Sequence, residues 1–589
     1  MRLDARALLL AGCMALPAVP AAAADVGSIA FSGQASVPSS PLTDAQRSDY
    51  RQIFAAIDNG DWADASARLD AMPYGPLHDI ARAELYLAKG SPKVELEPLM
   101  ALIARTPELP EAPQLARLAQ LRGAEILPEL PQQHSLTTIS GQPRRGRARS
   151  LKDDPSVATV EALIQPLIVD NQPAAAEAVL DQQEATLIPE ALTEYQQRIA
   201  WSYYIVGDDA AARRLAGRAR VGSGEWAVQA EWVAGLAAWR MNDCDAAANS
   251  FAMVGAQSSD VEMVAAANYW AARADMMCGR PERVQPRLRT AARLNETFYG
   301  LLAATALGLK PPSPTGIAVS KGPARDIASL PNVRAAIALN DIGERGLADQ
   351  FIKYQARIGT AAEHGSLLRL AADLNLPSTQ IWLAYNVPPG AAVSMTSRYP
   401  APDWKPKHGW RVDPSLVFAH TLQESGFRTQ IVSAAGARGL MQVRPGTAGD
   451  IARSRGETFD SKQLSDPTEN IEFGQTYLEQ LRDAGCTGGL LPKVIAAFNA
   501  GPAPVAEWNS REMDKGDPLL YIESIPYWET RGYVPIILRN YWVYEQELGR
   551  SAGSREALAQ GLWPRFPGLP GPKAVRIQAP RLLASSGTR

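Results

Sequence analysis

The residues best able to do chemistry lie in the last third of the chain. Asp413-Pro414 opens an apolar stretch containing Leu416, Val417, Phe418, Ala419 and Leu422, and Gly426 closes it. Asp can cap free N–H groups, Pro is tolerated at the first helical position and Gly is a good left-handed terminator, so the stretch predicts a helix. Glu424 and Ser425 then fall in its last turn. The partial negative charge of the helix C-terminus disfavours an ionised carboxylate there. Apolar walls would add to that effect and raise the carboxyl's pKa further. A carboxyl held protonated near neutrality is what a general acid needs to protonate a leaving oxygen. Taken alone, a Glu at a helix end is more often a surface charge.

The neighbours weigh against the surface reading. Gly436-Ala437-Arg438-Gly439-Leu440-Met441-Gln442-Val443-Arg444-Pro445 follows, then Ala496-Ala497-Phe498-Asn499-Ala500-Gly501-Pro502. Last comes Glu523-Ser524-Ile525-Pro526-Tyr527-Trp528-Glu529-Thr530-Arg531-Gly532-Tyr533-Val534. Glu-Ser, Gly-Leu-Met-Gln, Ala-x-x-Asn-Ala-Gly-Pro and Ile-Pro-Tyr-x-Glu-Thr-Arg-x-Tyr-Val, in this order, resemble the soluble lytic transglycosylase family over residues 404–548. Four motifs agreeing in order and spacing make this a specific match; a lone Glu-Ser would carry nothing. Tyr269-Trp270-Ala271-Ala272-Arg273-Ala274 and Phe298-Tyr299-Gly300, with Leu307-Gly308, resemble pieces of the same family's superhelical region.

The resemblance implies a lysozyme-like, mostly helical catalytic domain that cleaves the MurNAc–GlcNAc β-1,4 bond of peptidoglycan. It gives Glu424 the role of general acid and then base, with the muramic C6 hydroxyl attacking C1 to leave a 1,6-anhydro end. A second carboxylate is dispensable if the substrate's own N-acetyl group stabilises the cation. The resemblance also implies substrate contacts by Ser425, Met441, Gln442, Phe498, Asn499, Tyr527 and Glu529. For Glu529 an ion pair with Arg531 is the alternative. Phe498 departs from the family's usual Tyr, which loses a hydroxyl near the carboxyl. Arg444 departs from the usual Met and is expected to face solvent or substrate carboxylates. His420, one helical turn before Glu424, is read as a core or surface histidine unrelated to catalysis. Tyr521, Tyr527, Trp528 and Tyr533 could stack on sugar rings, though some must be core.

What positions these residues is a long helical chain. Asn171-Gln172-Pro173, Gly207-Asp208-Asp209, Asn242-Asp243-Cys244 and Gly279-Arg280-Pro281 each put a turn residue before an acidic or Pro helix start, followed mostly by small residues. Asn59-Gly60-Asp61-Trp62 has the same outline. Recurrence about every 35 residues is the mark of stacked helix pairs, which bury their apolar faces on their neighbours. The expected class is therefore mainly α: a superhelix or solenoid of helix hairpins followed by the catalytic domain. The expected divisions are a signal peptide over 1–24, a helical segment over 25–127 and a flexible loop over 128–155. A repeat superhelix over 156–320, a helical linker over 321–395, the catalytic domain over 400–550 and an irregular tail over 551–589 complete them.

Composition bounds the rest. The chain has 589 residues with 46% hydrophobic and 21% charged, too long for one core and ordinary for a soluble globular protein. A net charge of -3 argues against nucleic acid. Four Cys and five His, with no Cys-x-x-Cys and no His pair at helical spacing, argue against a metal site, and no phosphate-binding Gly motif follows a strand. No cofactor is expected.

Arg2 and Arg6, a short apolar stretch and Ala21–Ala24 describe a secretory signal peptide, hence export to the periplasm. Leu10-Ala11-Gly12-Cys13 resembles a lipobox, so contact with a membrane follows only if Cys13 is lipidated. Export permits a disulfide. Cys244 and Cys278 could pair, leaving Cys486 odd, but two free thiols in neighbouring repeats is the favoured reading, since bridging needs Cα atoms within about 7 Å. The expected partners are peptidoglycan strands and, through the solenoid, proteins of cell-wall synthesis or the envelope. A lysozyme-type hydrolase, a non-catalytic glycan-binding scaffold and a pure adaptor are the alternatives.

Overall fold

The computed structural model describes residues 39–309, 327–511 and 513–578, and it is a helical protein with only short two-residue strands. The signal peptide and Cys13 lie outside the described residues. No described helix is long and apolar enough to cross a membrane.

The chain visits two hydrophobic cores alternately. The first holds α1 (Asp44–Asn59), α2 (Trp62–Ala71), α3 (His78–Leu87), α4 (Leu96–Arg105) and α5 (Ala112–Leu121). The second begins with α6 (Ala158–Val169), α7 (Pro173–Gln183), α8 (Pro189–Val206), α9 (Asp209–Ala219) and α10 (Gly224–Arg240). It continues through α11 (Cys244–Gln257), α12 (Val261–Met277), α13 (Pro281–Ala292) and α14 (Phe298–Ala306). The chain then returns to the first core with α15 (Pro331–Ile342), α16 (Arg345–Ile358), α17 (His364–Asp373) and α18 (Pro377–Tyr385). The segment expected to be a linker therefore packs with the N-terminal helices around one core.

Helices α6 to α13 alternate as antiparallel hairpins. The residues that mark the repeat in sequence all take left-handed backbone: Asn171 has φ 56°, Gly207 91°, Asn242 60° and Gly279 70°. Gly pays no Cβ penalty there and Asn little, so these types recur. The next helix starts at once. Asp208 and Asp243 accept from the amides of Ala211 and Ala246 at 2.9 and 3.0 Å, while Pro173 and Pro281 occupy first-turn positions.

Cys244 and Cys278 form a disulfide, with Cα atoms 5.6 Å apart, which corrects the reading as free thiols. The repeat period explains it. Cys244 opens α11 and Cys278 caps the end of antiparallel α12, so the two ends lie side by side.

Residues 128–155 also depart from expectation, since this segment is a strap pinned to both cores rather than a flexible loop. On one side β1 (Thr137–Thr138) pairs antiparallel with β2 (Asn386–Val387), and the His134 amide donates to the Arg357 carbonyl at 2.7 Å. On the other, Ser150 Oγ and the Leu151 amide donate to Glu194 at 2.6 and 2.7 Å, and Trp226 donates to the Arg149 carbonyl. The strap lacks periodicity because its polar groups bond outward to other elements. Its basic run is not solvated throughout: the Arg145 guanidinium sits over Trp232 and grips Glu523.

The C-terminal region completes the second core. Its helices are α19 (Pro414–Ser425), α20 (Pro445–Ser454), α21 (Pro467–Asp483) and α22 (Leu491–Ala500). After them come α23 (Pro502–Ser510), α24 (Pro518–Glu523), α25 (Trp528–Glu547) and α26 (Gly553–Ala559). Residues 551–578 are ordered, against the expected irregular tail: β3 (Trp563–Pro564) pairs with β4 (Ala574–Val575). Leu558, Trp563 and Phe566 are buried, and the Trp563 indole donates to the Gly516 carbonyl at 2.8 Å. Burying these side chains anchors a stretch whose Pro and Gly content suggests none.

Candidate active site

Helix α19 is built as its sequence dictates. The Asp413 carboxylate accepts from the Ser415 amide at 2.9 Å, Pro414 opens the first turn, and Gly426 ends the helix at φ 57°. Glu424 is thereby placed in the last turn, partly exposed, above a buried face of Leu416, Val417, Phe418 and His420.

The Tyr533 hydroxyl, from α25, donates to Glu424 Oε1 at 2.5 Å. The same Tyr533 oxygen lies 2.8 Å from His420 Nδ1. Glu424, Tyr533 and His420 thus form a row leading from the surface into the core. Desolvation pushes the Glu424 carboxyl up to about 7; the charge of Glu529 adds to this and the Tyr533 hydrogen bond opposes it. Burial alone pushes the His420 imidazole down to about 3, so it is neutral at physiological pH.

A raised pKa does not by itself single out Glu424. Burial also lifts Glu111, Glu262 and Glu547 to about 7 and Glu545 to about 8. Glu547 is partly open as well; what sets Glu424 apart is that its partly open carboxyl takes the Tyr533 hydroxyl, from the last of the four motifs, on one oxygen. The Phe498 ring, from α22, packs on His420 with centroids 4.5 Å apart. Asn499 Oδ1 accepts from Thr530 Oγ1 of α25 at 2.6 Å. The Gly-Leu-Met-Gln turn joins the segment after α19, since the Gly439 amide donates to the Ile431 carbonyl at 3.0 Å. Asn470 of α21 locks the turn by accepting from the Met441 amide and donating to the Arg438 and Leu464 carbonyls. Gly439 is required there, at φ 70°, because a Cβ would lie 2.0 Å from the Leu464 carbonyl oxygen.

The residues expected to touch substrate divide into two groups. Gln442, Phe498 and Asn499 are partly exposed, while Tyr527 and Glu529 are exposed. Tyr527 stands edge-on to Trp508 at 5.2 Å, which leaves a stacking face available. Glu529 occupies the first turn of α25, favourable for an anion, and has no ion pair among the described residues. Arg531, its expected alternative partner, lies 3.8 Å over Trp201 of the solenoid instead.

Ser425 and Met441 face inward. The Ser425 hydroxyl bonds back to the Thr421 carbonyl at 3.1 Å, and Met441 is fully buried against Gly474, where a Cβ would meet its sulfur at 2.1 Å. Their contribution to a groove is through backbone and packing. Arg444 is exposed as it caps α20, and Tyr521 is core.

Sequence reasoning passed over Tyr533 as a polar partner of Glu424 and set His420 aside. The available signal was spacing: His420 stands one helical turn before Glu424, on the same face.

Half of the last motif does something else. Glu523, on α24, accepts from Arg145 of the strap at 2.6 and 2.7 Å and from the Tyr299 hydroxyl at 2.7 Å. Ser524 Oγ pairs with the Tyr204 hydroxyl at 2.8 Å. With Arg531 on Trp201, these residues dock the C-terminal region onto the solenoid.

Comparison with known proteins agrees with this layout. Residues 404–520 match the model of the Transglycosylase SLT domain. The soluble lytic murein transglycosylase of Salmonella typhimurium is 28% identical over 316 residues, covering 49% of this chain and 44% of the relative. The soluble lytic murein transglycosylase of Escherichia coli is 34% identical over 143 residues, covering 24% of this chain and 22% of the relative. The chain thus spans less than half the length of these curated relatives. The crystal structure of the 70 kDa soluble lytic transglycosylase from Escherichia coli shares the fold, with a TM-score of 0.52 at 16% identity, covering 89% of this chain and all of that one.

Proposed function

We propose that this chain, whose residues 404–520 match the Transglycosylase SLT domain, is a peptidoglycan lytic transglycosylase. The reading rests on one observation above the others: Glu424, desolvated and pushed up to about 7, sits partly open with Tyr533 on one oxygen and, among the described residues, no cation paired to it.

The chemistry follows from that state. Protonated Glu424 gives its proton to the glycosidic oxygen as the bond to muramic C1 breaks. The substrate's N-acetyl group stabilises the cation, so an opposing carboxylate is not needed. Glu424, now a carboxylate, takes the proton of the C6 hydroxyl while that oxygen bonds to C1. The products are a GlcNAc hydroxyl end and a 1,6-anhydromuramic end, with no water consumed. A pKa near 7 suits a group that must both give and take a proton. Gln442, Phe498, Asn499, Tyr527 and Glu529 would line the glycan path, and the solenoid would bear on the rest of the polymer or on envelope partners. The Cys244–Cys278 disulfide supports export to an oxidising compartment, here the periplasm.

Digestion of purified sacculi by the wild type and by Glu424→Gln, with mass spectrometry of the fragments, tests the reading. Anhydromuramic ends from the wild type alone are expected. Hydrolysed muramic ends would make the protein a lysozyme-type hydrolase, and binding without turnover would make it a scaffold.

A further inference from the structure

Tyr533 has one hydroxyl proton and two polar neighbours, Glu424 Oε1 at 2.5 Å and His420 Nδ1 at 2.8 Å. It can donate to one of them. When Glu424 is ionised, its oxygen only accepts, so the Tyr533 proton must lie on that side. The contact to His420 is then a hydrogen bond only if Nδ1 carries the imidazole proton. The buried ring supports this tautomer, because Nε2 has no hydrogen-bond partner among the described residues. An unpaired buried N–H would cost more than an unpaired lone pair. The ring is held in place by Phe498, which has no hydroxyl to compete for either polar atom.

We propose that His420 is a positioning residue: its Nδ1–H fixes Tyr533 as a donor to Glu424 Oε1, so that the transferable proton of Glu424 resides on Oε2. In the opposite arrangement the acid proton would sit on Oε1 and be engaged by Tyr533, out of the substrate's reach. His420 therefore decides which carboxyl oxygen delivers the proton, although it touches neither substrate nor Glu424. This rests on the reading of Glu424 as the acid. The ionisable groups facing His420 are Tyr533 on α25 and, through it, Glu424 on α19 and Glu529 on α25. From α21, Tyr477 meets it across the ring of Phe498.

The test uses the full chain on purified sacculi. His420→Leu should lower kcat about tenfold, the size of one hydrogen bond read as a rate, with KM little changed. The alkaline limb of its pH profile should move up, because a freely turning Tyr533 hydroxyl no longer favours the carboxylate. His420→Asn, whose amide nitrogen can stand where Nδ1 stands, should recover most of the rate and the limb. In a Tyr533→Phe background, His420→Leu should cost nothing further. The proposal is overturned if His420→Leu keeps the wild-type rate and limb, if Asn does no better than Leu, or if the loss is the same without the Tyr533 hydroxyl. Should the Leu variant not fold, His420→Met, which also lacks the donor, takes its place in both backgrounds. Turnover by Glu424→Gln would remove the acid reading itself. An inert Glu424→Gln beside wild-type behaviour of the His420 variants would overturn His420 alone.

Discussion

Glu424-Ser425 and Glu523-Ser524 are the same two residues in two surroundings. Glu523 is the more deeply buried, 1% exposed, and both its oxygens are gripped by Arg145, with Tyr299 on one of them. Glu424 keeps partial access to solvent, has Tyr533 on a single oxygen and pairs with no cation among the described residues. Burial is common to both, so burial alone does not make a proton donor. What separates them is the guanidinium supplied by the strap, which makes one carboxylate a docking element and leaves the other free to hold a proton. A raised carboxyl also occurs away from the motifs: burial lifts Glu262 to about 7, and its carboxylate accepts from the Phe298 amide at 3.0 Å.

The largest way to break this comparison is to exchange the roles. Glu424→Gln should lower turnover on sacculi by about 10³-fold, within the range of general acid–base catalysis, with the fold intact. Glu523→Gln should do the reverse, leaving turnover of folded protein within about threefold while destabilising it by about 3–5 kcal/mol, because Arg145 is left buried without its charge partner. Denaturant unfolding and product release, measured on both variants, separate the two. Arg145→Met should cost a similar amount, and the double variant less than the sum of the singles. If Glu523→Gln abolished turnover at unchanged stability, Glu523 would belong to the chemistry.

A smaller effect sharpens the same contrast, because Gln, which destabilises at position 523, should stabilise at position 424 above neutral pH. The Glu424 carboxyl has a native pKa of about 7 against an ordinary value of 4.5, so the native state binds its proton more tightly. Stability from this group is full below about pH 4.5 and is lost as pH rises through about 7. Gln does not titrate. Glu424→Gln should therefore match the wild type near pH 4.5 and exceed it above pH 7, by about 1–2 kcal/mol once the partial solvent access of the site is allowed for. Thermal unfolding across that window checks it. A Gln variant less stable than the wild type at pH 8 would mean that the ionised carboxylate is well solvated.

Much of this was legible in the sequence, for reasons that differ by element. The repeat turns could be read because left-handed backbone admits few residue types, so Gly and Asn recur where the φ demands them. Helix α19 could be read because Asp413, Pro414 and Gly426 each act locally. The strap could not: Arg145 meets Glu523 across hundreds of residues, and no local pattern encodes that pairing. Nor could the His420–Tyr533–Glu424 row, whose middle member arrives from another helix. The same limit explains why one motif contains both Glu529, exposed near the site, and Arg531, which faces the solenoid. Spacing along a helix shows which residues share a face; it does not show what that face meets.

The two serines extend the comparison to its finest scale. Ser425 Oγ donates to the Thr421 carbonyl one turn back within its own helix, whose oxygen is already in the helical ladder, so Ser425→Ala should cost only about 0.5 kcal/mol. Ser524 Oγ pairs with the buried Tyr204 hydroxyl across the interface with the solenoid, and Ser524→Ala should cost about 1 kcal/mol by leaving that hydroxyl without its partner. Turnover should be unchanged in both. The decisive outcome concerns Ser425, which the resemblance placed on the substrate and the geometry turns inward. A tenfold loss of turnover with unaltered stability would mean that its hydroxyl swings out to the glycan when substrate binds. Unaltered turnover would leave Glu424 as the member of its pair that meets the sugar, just as Arg145 singles out Glu523 at the interface.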